Sequence, residues 1–173
     1  MHRRNLLVGG AALVAAAGIA ARKSHARSAP VQPDDTRFMQ LAIDEATAAG
    51  VGFAAVIVKD GEVLSYGANR TGPDRDPTAH GEMVTIRKAL AVHGPDKLKG
   101  ATIYTTGEPC CMCMGAIVWC EFARVVCAAS LADIAAQFGQ ILLSAEEVAD
   151  KSPFVTVDVT AGVLRESAVA LLK

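Results

Sequence analysis

Two short clusters in this 173-residue chain hold side chains able to do chemistry: His80-Gly81-Glu82, and Pro109-Cys110-Cys111-Met112-Cys113. An imidazole and two thiolates are zinc donors. A structural zinc site takes four protein ligands, whereas a catalytic one keeps three and leaves a position for water. His80, Cys110 and Cys113 make three, so one zinc ion per chain in a site of the open kind is expected. Cys110 and Cys113 stand at i and i+3, adjacent on a helix face, and a helix N-terminus favours the metal-binding thiolate. Glu82 lies two residues from His80, a spacing that points the two apart on a regular helix. Both serve one site only if the metal lies over the helix end. There a carboxylate can take a proton from water whose pKa the metal lowers toward about 7, giving a nucleophile at neutral pH.

Each residue also has a plainer reading. Cys110-x-x-Cys113 alone fits a redox pair, His80 alone a capping or surface histidine, and Glu82 alone an acid suited to the helix dipole. The joint pattern, in this order and spacing, is what favours the metal site. Five cysteines, at 110, 111, 113, 120 and 127, would suggest disulfides in an exported protein. The crowding of three within four positions and the odd total point instead to sulfurs that hold a metal.

These residues need elements to carry them. Asp34-Asp35-Thr36 opens a helix with Phe38, Leu41, Ala42, Ala46 and Ala49 on one face, ended by Gly50. Strands at 53–58 and 62–66 flank Lys59-Asp60-Gly61, a hairpin signal. A breaker-rich loop from Asn69 to Pro77 leads into a helix with Met83, Ile86, Leu90 and Val92 at helical spacing before Gly94-Pro95, placing His80 and Glu82 in its first turn. A strand at 101–105, a turn at 107–109, a helix from Cys110 to Trp119 and a strand at 124–128 follow. A loop or short helix at 131–138, a helical turn at 145–149, a strand at 154–159 and a terminal helix from Val163 complete the chain. The expected class is a three-layer α/β/α domain, a mixed sheet of about five strands with helices on both faces.

Half of the residues are apolar (51%), enough for one well-packed domain at this length and too little chain for two. The first residues read differently. Arg3-Arg4, an uncharged run from Leu6 to Ala21, and Ser24-His25-Ala26 have the layout of a signal peptide, so residues 1–26 are expected to be removed and 27–173 to form the working domain. A membrane anchor is the other reading, but the Ala/Gly-rich run falls short of the about 20 strongly apolar residues that cross a bilayer. The arginine pair resembles a twin-arginine export signal, which would deliver the domain folded to the periplasm, although two basic residues also suit an ordinary Sec signal. A thiolate metal site is best filled before export, which favours the folded route. Cleavage leaves 13 basic against 18 acidic side chains, an unfavourable balance for a nucleic-acid partner. Residues 27–33 read as a linker.

The stretches Asp76-Pro77-Thr78-Ala79-His80-Gly81-Glu82 and Glu108-Pro109-Cys110-Cys111-Met112-Cys113-Met114-Gly115-Ala116-Ile117-Val118-Trp119 resemble the zinc deaminases of the cytidine deaminase superfamily, whose signature is His-x-Glu followed by Pro-Cys-x-x-Cys. They look most like the bacterial guanine deaminases, and the likeness runs from about residue 35 to the terminal strand and helix, taking in 53–61 and Ser152-Pro153-Phe154. It implies that His80, Cys110 and Cys113 bind zinc, and that Glu82 moves protons between water, ring nitrogen and leaving ammonia. Asn69 would hydrogen-bond the base, Phe53 would line its pocket, and the N–H groups of Gly81 and Cys110 would meet the substrate and the reacting oxygen. For Phe53 and Trp119 core packing is an equal alternative to ring stacking, and Asn69 equally suits a turn after the hairpin. The resemblance also implies a homodimer.

Gly81 stands where alanine is usual, and Cys111 where proline or valine is common. After the aromatic matched by Phe138, guanine deaminases of this type place an acid, whereas here Gln140 falls there. An acid only accepts from a base's N–H groups, while an amide both donates and accepts. The expected reaction is hydrolytic deamination of a small free nucleobase, guanine or a related aminopurine first. Cytosine, a nucleoside, a pterin or a triazine follows, then adenosine in tRNA. A zinc-binding or thiol protein without turnover is the reading from a different class.

Overall fold

The computed structural model describes residues 27–173, so the expected signal peptide, residues 1–26, lies outside the described residues. The elements in chain order are β1 (Arg27–Ser28), α1 (Asp35–Ala49), β2 (Ala54–Lys59), β3 (Glu62–Ala68), α2 (Gly81–His93), α3 (Pro95–Leu98), β4 (Thr102–Gly107), α4 (Cys111–Trp119), β5 (Arg124–Ala129), α5 (Leu131–Ala135), α6 (Ala145–Asp150), β6 (Asp158–Ala161) and α7 (Arg165–Val169). They form one mixed sheet in the order β1-β6-β5-β4-β2-β3, in which β2 runs antiparallel to both β3 and β4, and β4, β5, β6 and β1 run parallel.

Local signals explain much of this. At the β2–β3 turn Asp60 and Gly61 have φ of 53° and 79°. Two successive positive φ values make the turn whose twist matches the flanking strands, which is why an Asp-Gly pair sits there. Gly50 ends α1 in the left-handed region, its N–H returning to the last carbonyls of the helix. Alternation along the strands then sorts side chains into two cores. Ala55, Ile57, Ile103 and Val125 face α2, α4 and α6, while Val56, Val58, Tyr104 and Val126 face α1 and α7. The expected three-layer α/β/α arrangement is therefore present.

Two expectations are corrected. Residues 27–33 are not simply a linker, because Arg27–Ser28 pairs in parallel with β6 as a sixth strand at the sheet edge. The expected strand at 154–159 begins later, at Asp158. Asp158 pairs with Arg124, the first residue of β5, so residues 154–157 run past the start of their neighbour and have no ladder to join. Phe154 turns outward onto Trp119 instead.

A buried ion pair ties the leading segment to the sheet. Asp35 accepts two hydrogen bonds from Arg124, at 2.6 and 2.7 Å, and one from the Tyr104 hydroxyl at 3.1 Å. The same guanidinium donates to Thr160 Oγ1 and to the Pro30 carbonyl. Burial opposes a charged Asp35, yet the bonds from Arg124 and the Gln32 amide outweigh it and hold its pKa below the ordinary carboxylate value.

Candidate active site

Strand β4 ends at Gly107, and Glu108-Pro109 turn the chain into α4, so the N-terminus of α4 opens at the carboxyl edge of the parallel strands. Helix α2 enters from the loop after the hairpin, and its N-terminus meets the same edge. Thr85 fixes that approach, its hydroxyl lying 2.7 Å from the Gly81 carbonyl and 3.3 Å from those of Ala55 and Gly67. His80 and Cys110 are the N-cap residues of α2 and α4, both with extended backbone and neither capping with its side chain. Their side chains are thereby free to point off the helix ends toward one another.

His80 Nδ1 lies 3.7 Å from Cys110 Sγ and 3.6 Å from Cys113 Sγ, and the three ligand atoms all fall within 4.8 Å of one another. Zinc bonds of about 2.3 Å to sulfur and about 2.0–2.1 Å to nitrogen at a tetrahedral angle put the nitrogen and a sulfur about 3.6 Å apart. The observed separations therefore match the edges of a zinc tetrahedron, and three donors leave its fourth corner open. All five cysteines are free thiols, so no sulfur of the trio is spent in a disulfide. The bond from the Cys113 thiol, then that from His80, pulls Cys110 down to about 4, while the bond to Cys110 and then burial push Cys113 up. The hydrogen bond to Cys110 raises His80. Burial is the largest influence on Glu82, only 8% exposed, and pushes its carboxyl above the ordinary range. A carboxylate raised in that way is a better proton acceptor than an ordinary one, which suits the gain and return of a proton.

These groups open into a cavity of about 200 Å³ whose walls include Phe53, Asn69, His80, Glu82, Cys110 and Gln140. Phe53 meets Phe138 edge to face at 5.9 Å between ring centroids. The Asn69 side-chain oxygen accepts the Thr71 N–H at 3.1 Å, which fixes the amide and leaves its NH2 as the group free to donate. Gly81 is buried at the first position of α2. The structure thus gathers every expected residue except Trp119. That side chain lies apart from the cavity in this chain, 77% exposed at the far end of α4, its ring 5.0 Å from that of Phe154 and tilted against it. Helix α4 points its N-terminus at the cavity, so a nine-residue helix carries Trp119 roughly 13 Å away along its axis.

Thr71, Glu108, Ile134 and Phe138 also line the cavity and escaped the sequence reading as site residues. Glu108, next to Pro109-Cys110, and Phe138, matched to an aromatic of the guanine deaminases, carried the available signals.

The zinc-binding region of cytidine and deoxycytidylate deaminases matches residues 32–129, more than half of the chain, and the chain belongs to that family. Among its relatives, the guanine deaminase of Bacillus subtilis is 46% identical over 93 residues, 53% of this chain and 60% of that protein. The tRNA-specific adenosine deaminase of Agrobacterium fabrum is also 46% identical, over 94 residues, 52% of this chain and 60% of that protein. The chain thus matches about 60% of the length of these curated relatives. A solved guanine deaminase from Nitrosomonas europaea is 26% identical with a TM-score of 0.66, covering 99% of this chain and 97% of its own. A tRNA:A34 deaminase structure is 34% identical with a TM-score of 0.69, covering 79% of this chain and 99% of its own.

Proposed function

We propose that this chain is a zinc-dependent hydrolytic deaminase of a free nucleobase, with guanine or a related aminopurine as its first substrate. The observation that carries the reading is a buried carboxylate, Glu82, sharing a small cavity with His80 and Cys110, the His80 imidazole standing at zinc-tetrahedron distances from the sulfurs of Cys110 and Cys113. His80 Nδ1 and the sulfurs of Cys110 and Cys113 would hold a zinc ion, which would supply Lewis acidity and make water a stronger acid. Glu82 accepts one proton of the attacking water on a carboxylate oxygen as the C–O bond forms, and returns it to the ring nitrogen beside the amino-bearing carbon. It then takes the second proton from the hydroxyl now on that carbon and passes it to the departing amine as the C–N bond breaks. Water and a ring amine become a ring carbonyl and ammonia. Asn69 orients the ring through its amide NH2, and Phe53 with Phe138 holds the ring edge and keeps bulk water out.

Three observations favour a free base over a base within tRNA. The cavity is smaller than the about 300–1,000 Å³ of sites that hold drug-sized ligands. Arginines beside it are engaged with acids, Arg70 with Asp74 at 2.7 Å and Arg87 with Asp76 at 3.6 Å, which weakens their hold on phosphate. The domain from residue 27 onward has more acids than bases. Gln140, an amide in the cavity wall, widens the choice to cytosine, nucleosides, pterins and triazines. Glu82→Gln in the zinc-loaded protein should keep one zinc per chain and abolish ammonia release from a panel of these amines and guanine. Undiminished release would overturn the mechanism, and inosine formed in tRNA with no release from free bases would move the substrate to tRNA.

Export to the periplasm through the twin-arginine route is part of the proposal. It rests on the Arg3-Arg4 pair and the uncharged run from Leu6 to Ala21, and a cut after Ala26 would leave the pairing of Arg27–Ser28 with β6 whole. N-terminal sequencing of the periplasmic protein tests it, with Arg27 as the expected first residue. A homodimer is proposed on the exposed Trp119–Phe154 pair and the exposed run Ile141-Leu142-Leu143, apolar surface that a second copy would cover. Light scattering on the purified domain measures it, and a mass of one chain at micromolar concentration would reject it.

A further inference from the structure

Between α5 and α6 runs an arm, residues 136–143, without regular structure. It sends Phe138 and Gln140 into the cavity and turns Ile141 and Leu142 outward. The two helices that bracket it, α5 and α6, begin alike. Ser130 begins α5 in a reciprocal capping pair with Asp133, and Ser144 begins α6 in the same pair with Glu147. Each box steadies its own helix start, and neither reaches the other.

The link between the two helix starts is Glu108. Its Oε2 accepts the Leu131 N–H at 2.8 Å and its Oε1 accepts the Ala145 N–H at 2.9 Å. Both donors are first-turn amides that have no carbonyl partner within their own helix. The Glu108 N–H is itself fixed on the Ala129 carbonyl at 2.8 Å, and Cys110 follows two residues later. One carboxylate therefore sets the separation of the starts of α5 and α6, the two helices that bracket the arm, and ties both to the turn that carries a zinc-ligand sulfur. Only an acceptor with two equivalent oxygens and no donor can do this. Glutamine keeps one acceptor and sets an NH2 against the other N–H, and alanine keeps neither.

We propose that Glu108 is the positioning residue for substrate: by clamping the starts of α5 and α6, which carry the arm between them, it sets where Phe138 and Gln140 stand relative to the zinc trio, without moving a proton itself. The inference rests on the reading that this cavity binds a nucleobase. It concerns selection and affinity, so its signature is a rise in KM with kcat preserved.

The test uses the zinc-loaded domain carrying Glu108→Gln or Glu108→Ala, with amide hydrogen exchange at Leu131 and Ala145, zinc content, and KM and kcat for guanine. In Glu108→Ala exchange should quicken at least about tenfold at both amides, and in Glu108→Gln mainly at one, while exchange in β4 and β5 stays slow and the fold is kept. Zinc should remain at one per chain, kcat within about threefold, and KM for guanine should rise about tenfold, less for glutamine than for alanine. Unchanged exchange overturns the proposal. So does faster exchange with an unaltered KM, or loss of zinc and kcat at constant KM, which would make Glu108 a support of the metal ligands alone. Should the parent protein release no ammonia from guanine, the substrate reading falls, and the exchange rates still decide whether Glu108 clamps the arm.

Discussion

Gly81→Ala restores the residue common in related deaminases, and the structure predicts that it harms this one. A Cβ built at Gly81 lies 2.9 Å from Ala54 Cα and 3.2 Å from both Ala54 N and the Phe53 carbonyl oxygen. Carbon atoms rest at about 3.5–4.0 Å, so the start of α2 must retreat from β2 by roughly 0.5–1 Å. The obstacle is backbone in a central strand, which cannot rotate aside as a side chain would. Overpacking of this kind costs about 1–3 kcal/mol. The better helix propensity of alanine returns at most about 1 kcal/mol, and less at the first helical position. The net is destabilising, and at about 2–4 °C per kcal/mol for a domain of this size Tm should fall by several degrees. Activity should suffer more, because the retreat carries His80 and Glu82 away from Cys110 and Cys113, which ride on α4. A displacement near 1 Å at an acid–base group costs about a hundredfold in rate. Scanning fluorimetry, zinc content and ammonia release measure the three consequences. If Gly81→Ala matches the parent in Tm and keeps ammonia release within twofold, the close approach of α2 to β2 is not a constraint and the reasoning is wrong.

Asp35→Asn should leave Arg124 buried and uncompensated, at a cost of about 3–5 kcal/mol measured by denaturant unfolding. Asp35 has a folded pKa below its ordinary 3.8, so its contribution is present above that value and is lost as pH falls through the lower folded pKa. The parent should therefore lose stability on acidification below about pH 4, and the asparagine variant should show a flatter profile over that range. Cys113→Ser should abolish tight zinc binding, measured by metal analysis after dialysis against a chelator, because an alcohol at a fully buried position does not replace a thiolate donor.

How far these features could be read in advance follows the distance over which each is determined. The zinc trio was legible because both helix starts are announced locally: breakers at Gly72, Pro73 and Pro77 precede α2, and Gly107 and Pro109 precede α4. An N-cap residue projects its side chain off the helix end whatever the rest of the fold does. The hairpin was equally plain, since Asp60-Gly61 fits a turn that needs two positive φ values. Residues beyond the trio were read less well. Trp119 belongs to the stretch that resembles the deaminases, yet its use depends on which end of α4 faces the cavity. Ile134 looks like an ordinary apolar residue until α5 comes to lie beside the cavity.

By itself, then, the sequence determined the ligand set, the acid beside it, the turn chemistry and the α/β alternation, all of which depend on neighbours within a few residues. Only the tertiary structure decided that two residues at 27–28 become a strand, that β6 starts at Asp158, and that Glu108 bridges Leu131 and Ala145. Each of these depends on a hydrogen-bond partner more than twenty positions away, supplied when β4, β5 and β6 come to lie side by side. No local pattern encodes where such partners will stand.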